Sequence, residues 1–150
     1  METILKKAKT KDLSLISKIY MKEFSKPPYN EKWTMKKALS KMKFFNKFYD
    51  LYIVNFNKKI IGFVVINPIF MFPGEVAFGE EMAIQEDFQN QGIGTNVLKQ
   101  LFNIYRKKGF KKFMGIAASN GRPINLYKRL GILPSKKGVL IEKTLKWQKQ

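Results

Sequence analysis

The chain contains no histidine and no cysteine, so any proton transfer or nucleophilic chemistry falls to carboxylates, tyrosine, lysine, the backbone or water. Two carboxylates stand out by position. Glu80 and Glu81 lie side by side in an alternating apolar run, residues 76–84, that predicts a strand. Strict alternation would put Val76, Phe78, Glu80, Met82 and Ile84 on one face, and Ala77, Gly79, Glu81 and Ala83 on the other. After a turn, Ile93, Val97, Leu101 and Ile104 recur at helical spacing, and Lys107-Lys108-Gly109 closes that helix. Gly92 and Gly94 therefore fall where a helix begins and its first N–H groups lack partners. Without a Cβ they let an anion approach those donors, and the helix dipole favours the negative charge. The stretch reads as carboxylate chemistry beside an anion cradle.

The spacing narrows the anion. A dinucleotide fingerprint needs a third glycine where Val97 stands, and a nucleotide P-loop needs Gly-Lys-Ser/Thr where the chain has Gly94-Thr95-Asn96. Gln89-x-x-Gly92-x-Gly94 instead resembles the Arg/Gln-x-x-Gly-x-Gly/Ala pyrophosphate loop of the GNAT superfamily of acyl-CoA-dependent N-acetyltransferases. A second stretch, Asn120-Gly121-Arg122-Pro123-Ile124-Asn125-Leu126-Tyr127-Lys128-Arg129-Leu130-Gly131, resembles its Asn-x-x-Ala-x-x-Leu-Tyr-x-x-Leu-Gly-Phe signature, with Pro123 and Ile132 as substitutions. Glu142-Lys143-Thr144-Leu145 is similar to its final strand, and Glu86 departs from it where many members carry proline.

The remaining elements position these motifs. Residues 3–8 predict a strand, Thr10 caps a helix through Leu13, Ile16, Ile19 and Phe24, and Pro27-Pro28 stops it. Thr34 caps a second helix with Ala38, Leu39, Met42 and Phe45 inward. Residues 51–56 and 60–69 form a hairpin around Asn57-Lys58-Lys59. Residues 110–118 predict a strand, 123–130 a short helix, and 138–145 a last antiparallel strand. The order β-α-α-β-β-β-α-β-α-β is that of the GNAT fold: an α/β (α+β) class with a mixed sheet of six to seven strands and about four helices. A single domain covers 1–146, and residues 147–150 form a frayed end.

The resemblance implies a function and its residues. Met82, Ala83 and Ile84 would pair through their backbone with the pantetheine arm of acetyl-CoA. Gln89, Asn90, Gln91, Gly92, Ile93 and Gly94 would hold its pyrophosphate, with Thr95 and Asn96 adding contacts. Asn120 would lie near the pantetheine and Tyr127 near the thioester sulfur, as the acid for the leaving thiolate. A backbone N–H near Ile84 would stabilise the oxyanion. Glu80 is the preferred base, because the bulky apolar face would raise its pKa; Glu81 is the other candidate. Tyr29 and Trp33 either staple the first two helices or, with Glu81, wall an acceptor pocket. The expected activity is direct transfer of an acetyl group to a primary amine of a small molecule or protein, with no metal. Similarity of the Tyr127 segment to spermidine/spermine enzymes suggests a polyamine-like acceptor.

A formal charge of +18 leaves most lysines unpaired and attracts polyanions, so an RNA- or ribosome-associated binding module is an alternative, as is a CoA-binding sensor without turnover. No apolar run is long enough to span a membrane and no secretory leader is visible, so a cytoplasmic monomer or homodimer is expected.

Overall fold

In the computed structural model, which describes residues 2–118 and 122–146, one five-stranded sheet runs in the order β1-β2-β3-β4-β5. The strands are β1 (Thr3–Lys7), β2 (Asp50–Phe56), β3 (Lys59–Asn67), β4 (Val76–Ile84) and β5 (Lys112–Gly115). The first three ladders are antiparallel, and β5 joins β4 in parallel. Between β2 and β3 the chain reverses on Asn57 and Lys58, whose φ of 50° and 66° suit a two-residue hairpin that follows the sheet's twist.

Helices cover both faces. On one, α1 (Leu13–Phe24) and α2 (Met35–Phe48) bury Ile16, Tyr20, Met42 and Phe45 against Leu51, Ile53, Phe63 and Val65. On the other, α3 (Ile93–Lys107) buries Val97, Leu98 and Leu101 against Val54, Ile61, Val64 and Ile66, with Leu126 of α4 (Arg122–Arg129) and Leu130 just beyond it alongside. Thr34 caps α2 as expected, its Oγ1 accepting from Lys37 N at 3.2 Å. Thr10 does not cap α1. A short 3-10 turn, Thr10–Asp12, precedes that helix, and Asp12 accepts from Lys9 N at 2.9 Å.

The mixed α/β class stands, but among the described residues the sheet has five strands where six to seven were expected. Residues 138–145 join no ladder, and Val139 and Ile141 are 87% and 85% exposed. Alternation supplies the side chains for a strand, yet a strand also needs a partner edge, and nothing in the pattern provides one.

A polar network ties α3 to the sheet. Tyr105 Oη donates to Asp50 Oδ2 at 2.6 Å, Tyr52 Oη lies 2.9 Å from Tyr105 Oη, and Lys7 Nζ donates to Asp50 Oδ1 at 2.9 Å. Burial works to raise the Asp50 pKa, but Tyr105 and Lys7 outweigh it and hold the carboxyl below its usual range. Tyr105→Phe should therefore destabilise the fold by about 1.5–3 kcal/mol, the range for a lost hydrogen bond to a charged group. Urea unfolding checks this.

Candidate active site

Everything at the site follows from how β4 is built. Val65 pairs with Glu81 and Ile66 with Gly79, so Glu80 is a bulged residue with no counterpart on β3. The bulge shifts the side-chain phase. Ala77 joins Ile84 in the α3-side core with Met82 packed against it, while Ala83 faces α1 and α2. This corrects the expected partition of faces: Glu80 and Glu81 are not held apart on opposite sides but line one cavity. Beyond the bulge β4 has a second property. β5 pairs only with Val76 to Gly79, so among the described residues no strand lies on the β5 side of residues 80–84, and that edge is open but for the Ile84 carbonyl, to which Gln89 Nε2 donates. Such an edge suits an extended ligand that carries amides of its own.

The cavity, about 800 Å³, is lined by Trp33, Lys36, Lys37, Lys41, Phe44, Phe45 and Tyr49 as well as both glutamates. Glu80 Oε1 accepts from Asn67 Nδ2 at 3.0 Å. Glu81 Oε1 accepts from Lys41 Nζ at 3.0 Å and from Tyr20 Oη at 3.2 Å. Burial pushes the Glu81 carboxyl above its usual range, against the opposing pull of Lys41 and Tyr20.

Trp33 packs edge-on to Tyr20, centroids 4.6 Å apart, and also lines the cavity. Tyr29 instead packs on Phe24 at 4.8 Å, outside the cavity lining. Its hydroxyl pKa is raised by burial and then by Glu81. Tyr127 is half-buried against the α3-side core, and burial followed by the nearby Tyr29 keeps its hydroxyl protonated well past neutrality. Tyr29 therefore lies electrostatically between Glu81 and Tyr127. Asn120 falls outside the described residues.

The glycine turn has the expected form, with the labour divided differently. Gly92 is the N-cap of α3 with φ 78°, a left-handed conformation that side chains resist. Asn96 N donates to Gly92 O at 3.1 Å and closes the first turn, so the amides of Ile93, Gly94 and Thr95 have no acceptor within the helix. Ile93 itself is buried, so only its backbone can serve a ligand. Gly94 makes room for a neighbouring helix: a Cβ there would meet Leu126 Cδ2 at 3.2 Å and Met82 Cε at 3.6 Å. Gln89 Nε2 donates to Ile84 O at 2.7 Å, pinning the end of β4 to the turn. Gln91 Nε2 donates to Asp87 O at 3.0 Å, and Asn90 takes a left-handed φ of 60°. The loop is preformed. An anion at the start of α3 and an extended arm along residues 80–84 would form one continuous track.

Sequence reasoning missed Lys41, Tyr20 and Asn67. Tyr20 carries the apolar spacing of α1 and reads as core, and Lys41 is one of five lysines in α2. Asn67 had a faint signal, a polar residue ending an apolar strand before Pro68.

Residues 13–132 match the Acetyltransferase (GNAT) family. No curated protein matches the sequence. Solved structures with the same fold include a possible acetyltransferase from Clostridium difficile 630 (TM-score 0.79, 10% identity, 97% of this chain and 100% of that one). A predicted acetyltransferase with acetyl-CoA from Clostridium acetobutylicum aligns with TM-score 0.69 and 21% identity over 94% of this chain and 96% of that one. AAC(6')-Iy, in complex with the bisubstrate analogue CoA-S-monomethyl-acetylneamine, aligns with TM-score 0.70 and 12% identity over 97% and 100%.

Proposed function

Because the chain belongs to the acetyltransferase (GNAT) family, we propose that it transfers an acetyl group from acetyl-CoA directly to a primary amine of a small molecule or protein. The observation that carries this reading is the edge of β4 at residues 80–84, which no strand covers among the described residues and which runs between the start of α3 and the cavity holding Glu80 and Glu81. Structural relatives with acetyl-CoA and with a CoA bisubstrate analogue support the choice of cosubstrate.

Acetyl-CoA supplies the acetyl group as a thioester. The backbone at Met82, Ala83 and Ile84 pairs with its pantetheine arm, and the first-turn amides of α3 together with Gln89 to Thr95 hold its pyrophosphate. Fixing that long arm at both ends positions the acetyl carbon, and orientation of this kind supplies up to ~7–11 kcal/mol of the barrier. Glu81 takes the proton that an ammonium acceptor must lose, directly or through a water. The amine nitrogen then bonds to the acetyl carbon as the carbon–sulfur bond breaks, the Tyr127 hydroxyl gives its proton to the departing sulfur, and the second proton shed by the new amide nitrogen returns through water to restore the Tyr127 hydroxyl. Glu80, anchored by Asn67, shapes the acceptor side. A screen of polyamines, aminoglycosides, amino acids and peptides tests the reading by thiol release. Release that depends on an amine is expected. Acetyl-CoA that neither binds nor turns over with any amine overturns it.

A further inference from the structure

Lys41 is held in an unusual place for a lysine of so basic a protein. Its ammonium sits 5.2 Å from the centroids of both the Tyr20 and Trp33 rings and 5.6 Å from that of Phe45. It also donates to Glu81 Oε1 at 3.0 Å and to Tyr20 Oη at 2.9 Å. The rings of Trp33 and Phe45, the Tyr20 hydroxyl and a carboxylate converge on one cation, a set of partners that suits alkylammonium groups. The host is built around the carboxylate whose pKa burial raises, at the cavity where an acceptor must enter.

We propose that this Tyr20–Trp33–Phe45–Glu81 cage is the seat of the acceptor's ammonium group, that Lys41 fills it in the free protein as a tethered stand-in, and that the acceptor is a primary amine on a slender, unbranched alkyl chain like that of Lys41 itself. The inference rests on the acetyltransferase reading and adds its substrate class. When the acceptor's ammonium displaces that of Lys41, Glu81 exchanges one cation for another, so it stays paired until it takes the proton. The remaining charges on the cavity wall are Lys36, Lys37 and Glu80. With Lys41 withdrawn but still near, a second cationic group on the acceptor is disfavoured. The occupant carries one ammonium at its tip and a neutral remainder, as a lysine side chain in a peptide does and spermidine does not.

The test reads binding without acetyl-CoA. Trp33 reports through its fluorescence once Trp147, the other tryptophan, is replaced by phenylalanine. n-Butylammonium, Nα-acetyl-lysine amide and spermidine are titrated into this protein and into its Lys41→Gln, Lys41→Met and Lys41→Arg forms, each checked by thermal melting. Gln keeps a hydrogen-bond donor for Glu81, and Met keeps the length, so at least one neutral form is expected to fold. A tethered group competes at an effective concentration of order millimolar, so its removal should tighten n-butylammonium roughly tenfold. Lys41→Arg should leave the affinity near that of the parent. Nα-acetyl-lysine amide should follow n-butylammonium, and spermidine should bind more weakly per ammonium. Unchanged or weaker binding in the folded neutral forms overturns the proposal, and so does preferred binding of spermidine. Acetyl-CoA affinity, measured in parallel by calorimetry, separates the two failures. If acetyl-CoA binds and amines release thiol but Lys41 has no effect, only the cage falls; if acetyl-CoA does not bind, the transferase reading falls with it.

Discussion

Replacing Glu81 with glutamine should lower kcat for amine acetylation by roughly 10²–10⁴-fold, the usual contribution of a positioned general base. An amine acceptor arrives as an ammonium, and burial raises the pKa of the Glu81 carboxyl above its usual range. It must be ionised to accept the proton, so activity rises with pH through a limb displaced upward from the ordinary carboxylate range. Glu81→Gln removes that limb, and part of the lost rate returns as the pH approaches the amine's own pKa. Stability carries the same signature with the opposite sign. The folded protein holds the Glu81 proton more tightly than the unfolded chain does. Wild type should therefore lose stability relative to Glu81→Gln as pH rises from the ordinary carboxylate range through the raised one. Glu80→Gln, which removes the charge but keeps an acceptor for Asn67, should act more on acceptor KM than on kcat. A pH–rate profile of the two variants decides between them: full activity and an unaltered profile in Glu81→Gln would refute its role.

Gly92→Val should weaken acetyl-CoA binding by at least about 100-fold, close to 2.7 kcal/mol, in a protein that still folds. Gly92 has nothing within 4 Å of an added Cβ, so the effect is conformational. At φ 78° a β-branched residue is a strained outlier costing about 1–3 kcal/mol, and the turn will rearrange to relieve it. Rearrangement swings away first-turn amides, and hydrogen bonds from these to a charged phosphate are worth about 1.5–3 kcal/mol each. Asparagine tolerates the left-handed region, so Gly92→Asn should lose far less. Calorimetry checks both. Equal losses in the two variants would mean that the position needs room for the ligand and not a left-handed backbone.

The contrast between these two residues indicates what a sequence can disclose. The turn at Gly92 is legible because several local signals agree: a glycine, helical spacing behind it and basic residues at the helix end. The hairpin at Asn57-Lys58 is legible for the same reason. The bulge at Glu80 is not, since period-two counting assumes an unbroken ladder and the interruption depends on β3 across the sheet. That one residue brought Glu80 and Glu81 into one cavity. Lys41 was hidden for a different reason. Lys36, Lys37, Lys41, Lys43 and Lys47 share α2, and only the packing of α1 and the Trp33 loop singles one out. The pattern at 138–145 misled in the other direction: alternation was present and no partner strand came with it.

The central claim is that one track, from the start of α3 along the open edge of β4 to the carboxylate cavity, holds acetyl-CoA and ends at the acceptor. A crystal structure with CoA tests it most directly. The account predicts the pyrophosphate at the amides of residues 91–95 and the pantetheine amides hydrogen-bonded to the β4 backbone at 82–84, with the sulfur between Glu81 and Tyr127. CoA bound elsewhere, with the edge of β4 left bare, would contradict it.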